Sequence, residues 1–451
     1  MSLTSPYTAA FVANTLGVEV GDDHFTAIQT DTRSILPGAL FVALAGERFD
    51  GHDFLATARD AGAHAAVVRR GTAPVAGLRL LEVSDTLDAW GDLARARRRL
   101  ITGPVIAITG QNGKTSTKEM VAAVVATQYR TWRTRANNNN RIGVPLTILE
   151  SPFDTEALVV EAGANLPGEI AQYRAIIDPD VAIVTNAGAG HLEGFGDVAG
   201  VLREKLALTR DVPRVITGVV PAGLAEGARA RGAGLVTTAG LTDADQVPEQ
   251  VELTADGCPR VTVDGHTFRL AARGRHQAGN AMFAWSVAHH LGLDLTVAAA
   301  ALERFALPGG RGELSQHGEL TILNDGYNAN PESFMAAIAL ASELRAGRRL
   351  IFVAGTMKEL GSHEAALHDE VMRRLLQLAP ELLVLVGEFV PAFLRVGGDY
   401  TGELLTAATA AEAGQLVAPH VRGRELLVLK GSRGAVLEQA LPAILSRSPL
   451  A

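Results

Sequence analysis

The sequence predicts an α/β chain of three domains, the second and third built as doubly wound sheets. Three observations predict it. The chain has 451 residues, room for about three domains at roughly 150 residues each. Apolar runs of strand length alternate with helical patterns, the rhythm of parallel sheets covered on both faces. That rhythm restarts after Pro308-Gly309-Gly310-Arg311, and Gly103-Pro104 supplies an earlier boundary. Domains are expected at 1–100, 101–312 and 313–451.

In the first stretch, apolar runs at Leu40–Leu44, Ala65–Val68 and Leu78–Val83 read as strands, with a loop at Ala73–Gly77. A helical, Arg-rich segment follows from Leu87 to Leu100. The second stretch opens with a strand at Val105–Ile108, a Gly-bearing turn and a helix from about Ser116 to Thr127. Buried strands follow at Leu158–Val160, Val181–Val184 and Val215–Thr217. Alternation over Val251–Leu270, broken at Asp256-Gly257 and Asp264-Gly265, predicts a small antiparallel addition. A helix from Asn280 to Leu291 comes next. In the last stretch, strands are expected at Leu320–Asn324, Leu350–Val353, Leu382–Val386 and Leu426–Leu429, giving a Rossmann-like unit.

Composition excludes several classes. With 47% hydrophobic and 20% charged residues the chain can bury a large core, so disorder and a coiled coil are excluded. Forty-one basic against 49 acidic residues argue against binding nucleic-acid backbones. Cys258 stands alone, which excludes a disulfide framework and a cysteine-rich zinc site. No apolar run approaches ~18 residues, and Met1–Val20 lacks a basic start followed by an apolar stretch. A cytoplasmic protein without membrane insertion is the expectation.

The sharpest chemical signal is Thr109-Gly110-Gln111-Asn112-Gly113-Lys114-Thr115-Ser116, set between a strand and a helix. Glycines let backbone N–H groups wrap phosphate oxygens, and the helix N-terminus adds its dipole. Lys114 is placed to reach the β/γ-phosphates and Thr115 to bind Mg²⁺. Ile108 holds the place of the first Gly of the full phosphate-loop pattern. Glu161 and His191 follow two other strands, on the side where open parallel sheets collect ligands. Glu161 is placed for a metal carboxylate, although each has an ordinary reading as a loop residue.

The run Asn137-Asn138-Asn139-Asn140 can hold anionic oxygens or serve turns and caps. Lys205 reads as a solvated helix lysine. His276 and Asn280 share a helix face, for a ligand or for capping. Asp325-Gly326-Tyr327-Asn328-Ala329-Asn330-Pro331 and Lys430-Gly431-Ser432-Arg433 are polar turns at strand ends, where active-site loops gather.

Together these motifs resemble the Mur ligases, ATP-dependent amide-forming enzymes of peptidoglycan precursor synthesis. The likeness runs from Asp31 to about Glu438. Its carriers include Asp31-Thr32-Arg33-Ser34, Asp50-Gly51-His52-Asp53-Phe54 and Asn137–Leu149. Glu161-Ala162-Gly163-Ala164-Asn165, Thr185-Asn186, His191–Gly196 and Tyr327–Pro331 complete the set. Within the family the pattern is similar to the branch that adds D-alanyl-D-alanine to UDP-N-acetylmuramoyl-tripeptide.

The resemblance implies a uridine-nucleotide-binding first domain, a phosphate-loop ATPase-like second and a Rossmann-like third. It implies that Thr109 to Ser116 cradle ATP, with His276 and Asn280 on the adenine side and Arg311 and Asp325 at ribose and phosphates. Two Mg²⁺ ions are implied, the first on Thr115 and Glu161, the second on Glu161, His191 and a carbamylated Lys205. Lys114, Glu161, His191 and Lys205 form the catalytic set. Arg33 and Ser34 match the uridine pocket; Asn137, Asn139, Asn140, Tyr327, Asn328 and Asn330 are candidate substrate contacts. The implied enzyme is a monomer with small-molecule substrates. It phosphorylates the tripeptide carboxylate and lets the dipeptide amine attack the acyl phosphate. A sibling adding a single amino acid and an ATP-hydrolysing switch are the rival readings.

Overall fold

The computed structural model describes residues 5–46, 49–307 and 309–446, so Pro308 of the predicted boundary run lies outside the described residues. Its first unit rests on a four-stranded parallel sheet: Ile28–Gln29, Leu40–Val42, Ala65–Arg69 and Arg79–Val83, side by side in chain order. The helix Thr86–Arg98 closes it. Asp85 caps this helix by accepting from the Leu87 and Asp88 N–H groups, while Arg95, Arg97 and Arg98 occupy the last turn, where the dipole favours cations.

The same helix fastens the first unit to the second. Trp90 Nε1 donates to the Ile142 carbonyl at 3.1 Å, and Arg97 Nη2 to that of Pro152 at 2.9 Å. Arg98 donates to the carbonyls of Ile177, Asp178 and Ile101 at 2.9, 2.8 and 3.0 Å. One apolar cluster runs from Tyr7 and Trp90 through Val105 to Ile177 and Leu224, so the two units share a core. Replacing Arg98 by Met strands these carbonyls. We expect a stability loss of about 2–4 kcal/mol, since bonds to a charged donor contribute ~1.5–3 kcal/mol. The urea midpoint measures it.

The second unit is a six-stranded, wholly parallel sheet in the order Leu235–Thr238, Arg214–Thr217, Val181–Val184, Val105–Thr109, Ala157–Glu161, Thr131–Arg133. The chain leaves Val105–Thr109 to one side, then crosses to Val181–Val184 on the other. That reversal opens the crevice at the strands' carboxyl ends. A three-stranded antiparallel sheet (Gln250–Leu253, Pro259–Val263, His266–Arg269) packs behind it. Its second turn is the two-residue Asp264-Gly265, with φ of 49° and 73°, as a type I′ hairpin requires.

The third unit is a six-stranded sheet in the order Glu313–His317, Leu320–Asp325, Leu426–Lys430, Leu350–Gly355, Leu382–Val386, Glu403–Ala407; only the first strand is antiparallel. Its two apolar clusters draw on its own residues alone.

The architecture is the three-domain α/β one read from the sequence. Five strands are additions: Ile28–Gln29, Thr131–Arg133, Leu235–Thr238, Glu313–His317 and Glu403–Ala407. Each lies at a sheet edge. An edge strand pairs on one side and tolerates polar residues, so it carries no continuous apolar run to read. Two helices start earlier than predicted. Gly113, at φ 79°, starts the phosphate-loop helix at Lys114 rather than Ser116, and the helix read from Asn280 begins at Arg275. Asn280 is buried inside that helix and donates to Gln277 Oε1 at 3.0 Å, so it is not a cap.

Candidate active site

The apolar strand Val105–Thr109 ends under the crevice because it is buried on both faces. The chain then turns through Gly110 (φ 145°) and Gly113 (φ 79°), conformations an L side chain resists, before the helix Lys114–Val125 begins. A Cβ at Gly110 would overlap the Thr185 hydroxyl, and one at Gly113 the Asn280 amide. The turn is pinned from the neighbouring strand: Asn112 N–H donates to Asn186 Oδ1 at 2.8 Å, and Thr185 Oγ1 donates to the Asn112 carbonyl at 2.6 Å. Gln111 to Ser116 line a cavity of about 720 Å³. Thr109 stands behind that wall, its hydroxyl donated to the Ala162 carbonyl at 2.7 Å.

Lys114 Nζ donates to the carbonyls of Gly110 and Gln111 at 2.8 and 3.0 Å. Enclosure lowers its pKa, Glu161 works against that, and Arg311 adds to it. Glu161 closes the strand Ala157–Glu161 and is 2% exposed. One carboxylate oxygen accepts from Asn139 Nδ2 at 2.9 Å. The other, Oε2, is buried with no hydrogen-bond partner among the described residues. A bare buried carboxylate oxygen is costly unless a cation meets it. Glu161 beside the buried Thr115 therefore fits a divalent ion. Among the described residues no three His, Cys, Asp or Glu side chains gather into a cage. Further oxygens would come from substrate phosphates and water, as is usual for Mg²⁺.

His191 lies on the cavity wall in a left-handed conformation, φ 55°, and precedes the short helix Leu192–Phe195. Its Nδ1 is 2.5 Å from Glu359 Oε2 of the third unit. Lys205, on the helix Val198–Leu206, is fully buried behind the wall, 5.7 Å from the Phe195 ring centroid. That corrects its reading as a solvated lysine. Burial, and then the charge of Lys114, push its pKa down to about 7.

Several candidates do structural work beside or instead of lining the cavity. Asn140 accepts from the N–H groups of Ile142 and Gly143 at 3.1 and 2.9 Å, fixing the turn that leads into the helix Gly143–Leu149, while Asn137 and Asn139 lie beside it on the wall. His276 and Asn280 also line the cavity, Asn280 close against Gly113. Arg311 stacks 4.1 Å over the Tyr327 ring. Asp325 accepts from Gly312 N–H at 3.1 Å and pairs with Lys430 at 2.6 Å; Lys430 also donates to the Asn328 carbonyl at 2.8 Å. Asn330 is buried off the wall, capping the helix Pro331–Arg345 and donating to Asn112 Oδ1 at 2.8 Å. Arg33 and Ser34 lie on an exposed turn of the first unit, away from the cavity lining, with Arg33 paired to Asp31 at 2.6 Å.

Sequence reasoning missed Glu204, Glu332 and Glu359. Glu204 accepts from Gly168 and Ile170 N–H at 2.8 and 2.7 Å, fixing the loop after Glu161. Glu332 accepts from Ala189 N–H at 2.9 Å. Only for Glu332 was there a local signal, an acid in the first turn after Asn330-Pro331.

Three family models match the chain in order. The Mur ligase family catalytic domain covers residues 24–98, the Mur ligase middle domain 108–288, and the Mur ligase glutamate ligase domain 310–433. The UDP-N-acetylmuramoyl-tripeptide–D-alanyl-D-alanine ligase of Bacillus subtilis is 34% identical, covering 94% of this chain and 93% of the relative. The chain belongs to the Mur ligase family. The Escherichia coli enzyme of the same name is 33% identical over 93% of both chains. Among solved structures, MurF from Acinetobacter baumannii superposes with a TM-score of 0.89 at 30% identity, covering 98% of this chain and 99% of that one. MurF ligase from Thermotoga maritima, in complex with ADP, gives 0.82 at 26% identity, covering 93% and 97%. The Mur ligase fold thus accounts for all three units.

Proposed function

We propose that this Mur ligase joins D-alanyl-D-alanine to UDP-N-acetylmuramoyl-tripeptide with ATP, giving the pentapeptide precursor of peptidoglycan. The observation that carries it is the 34% identity held over 94% of the chain to a ligase of that name. The cavity supplies the chemistry. A free carboxylate is a poor electrophile, so the tripeptide carboxylate takes the γ-phosphoryl group of ATP and ADP leaves. The dipeptide amine attacks the acyl carbon, and phosphate departs.

Lys114 and the N–H groups of the phosphate loop hold the phosphoryl oxygens. Thr115 and Glu161 would hold one Mg²⁺; Glu161, His191 and a carbamylated Lys205 the other. When bound, the ions supply positive charge where phosphate and carboxylate meet. The Lys205 environment suits carbamylation, because an amine with a pKa near 7 is about half uncharged at neutral pH, where an ordinary lysine is almost wholly protonated, and only the neutral form attacks CO₂. His276 and Asn280 face the adenine side; Arg311 and Asp325 the ribose and phosphates. Residues 101–312 bind ATP, 1–100 the uridine end through Arg33 and Ser34, and 313–451 close the site and exclude water. Among the described residues no helix is long and apolar enough to cross a membrane. We place the enzyme in the bacterial cytoplasm as a monomer.

The test is ADP release coupled to mass detection, with Mg²⁺, ATP, the UDP-linked tripeptide and either D-alanyl-D-alanine or single amino acids. A pentapeptide that forms only with the dipeptide is expected. A single-residue product would move the enzyme to a sibling activity, and ADP without a joined product would leave an ATPase.

A further inference from the structure

The third unit reaches the loop that carries His191 with three polar contacts. Glu332 Oε1 accepts from Ala189 N–H at 2.9 Å. Glu359 Oε2 lies 2.5 Å from His191 Nδ1 as a close ion-pair contact, with the ring N–H not aligned on the oxygen, and the Glu359 carbonyl accepts from Glu193 N–H at 3.3 Å. A fourth, Asn330 Nδ2 to Asn112 Oδ1 at 2.8 Å, ties the same unit to the phosphate loop. Within the second unit the loop is held at its start, where Ala187 N–H donates to the Val220 carbonyl at 3.1 Å. It reads Ala187-Gly188-Ala189-Gly190-His191, and it packs so closely that a Cβ at Gly188 would meet Glu332 and one at Gly190 would meet Gln111. Glu359 itself sits at φ 65°, and Gly361 beside it packs on the Glu193 backbone. Both ends of the contact are therefore built for close approach.

A histidine can hold a metal with one ring nitrogen only if that nitrogen keeps its lone pair. A carboxylate at the other nitrogen enforces this by accepting its N–H and locking the ring. We infer that Glu359 is a positioning residue for His191: delivered by the third unit, its carboxylate sits beside Nδ1, where a small turn of the ring lets it accept the N–H there and leaves Nε2 for a cation on the cavity side. Glu332 orients the same loop through its backbone. The ion held by His191 is thereby coupled to docking of the third unit, through residues that lie far from it in sequence. This inference rests on the ligase reading above.

The test uses Glu359→Gln, Glu359→Asp and Glu332→Gln in the full chain. Mn²⁺ titrations in the presence of ADP are followed by electron paramagnetic resonance, beside ADP binding without metal and thermal melting. In Glu359→Gln we expect one class of Mn²⁺ site to weaken by about 10–100-fold, the usual cost of losing such a partner. Metal-free ADP affinity and melting temperature should stay at the wild-type level. Glu359→Asp should recover part of the Mn²⁺ affinity, and Glu332→Gln should weaken the same class of site by a smaller factor. Unchanged Mn²⁺ isotherms in Glu359→Gln, or equal losses of metal-free ADP binding and of Mn²⁺ binding, would overturn the inference. Pentapeptide formation by the wild type is scored separately, so failure of the ligase reading is distinguishable from failure of this one.

Discussion

Lys114→Met is expected to lower ligation turnover by about 10²–10³-fold or more, the range seen when a single preorganised charge-stabilising donor is removed. Methionine keeps the length and the apolar stem, so what is lost is the ammonium. That ammonium donates to the carbonyls of Gly110 and Gln111, and so holds the turn between strand and helix in its phosphate-cradling shape. It also supplies charge near Glu161, whose second oxygen has no hydrogen-bond partner among the described residues. Two anions must meet during phosphoryl transfer, and removing the fixed cation raises the barrier more than it weakens ground-state binding. The expected pattern is a large fall in single-turnover rate with a smaller fall in ADP affinity by calorimetry. The fold should hold or gain slightly, because an enclosed amine whose pKa burial lowers is a cost to the native state. Retention of turnover within tenfold would remove Lys114 from the catalytic set.

The phosphate loop was legible because its meaning is local: a strand, two glycines and a lysine within one turn. Glu161 and His191 were legible for a topological reason, since both follow strands whose carboxyl ends converge on the crevice. The side chains left unread are those whose partners lie elsewhere in the chain. Asn330 reads as part of a polar turn and a candidate substrate contact; it caps a helix instead, and its amide nitrogen reaches Asn112 across 218 positions. Glu332 and Glu359 look like surface acids until the third unit folds against the second. Lys205 fails in the opposite direction. Its helix pattern suggests solvent, whereas the folded chain buries it completely, with the Phe195 ring beside its ammonium. The edge strands were lost for a related reason, because half their environment is water and their patterns carry half the signal.

Lys205→Met should produce an enzyme that is more stable and nearly inactive. The amine is fully buried, and burial, followed by the charge of Lys114, lowers its pKa from 10.5 to about 7. Between those values the unfolded chain carries a proton that the folded chain has shed. Lys205 therefore makes stability rise with pH across that window, and its cost is complete below about pH 7. Methionine fills similar volume without the charge. In CO₂-free buffer the melting temperature of Lys205→Met should exceed the wild type by several degrees below about pH 7, and the gap should close as the pH climbs toward 10.5. Added bicarbonate should narrow the gap by converting the wild-type amine to a carbamate, and should raise wild-type turnover while leaving the variant unmoved. A variant less stable than wild type at low pH would refute the buried-amine account. A variant with wild-type turnover would refute the metal role. The two readouts are independent, because one follows from burial alone and the other from what the site does with the neutral amine that burial creates.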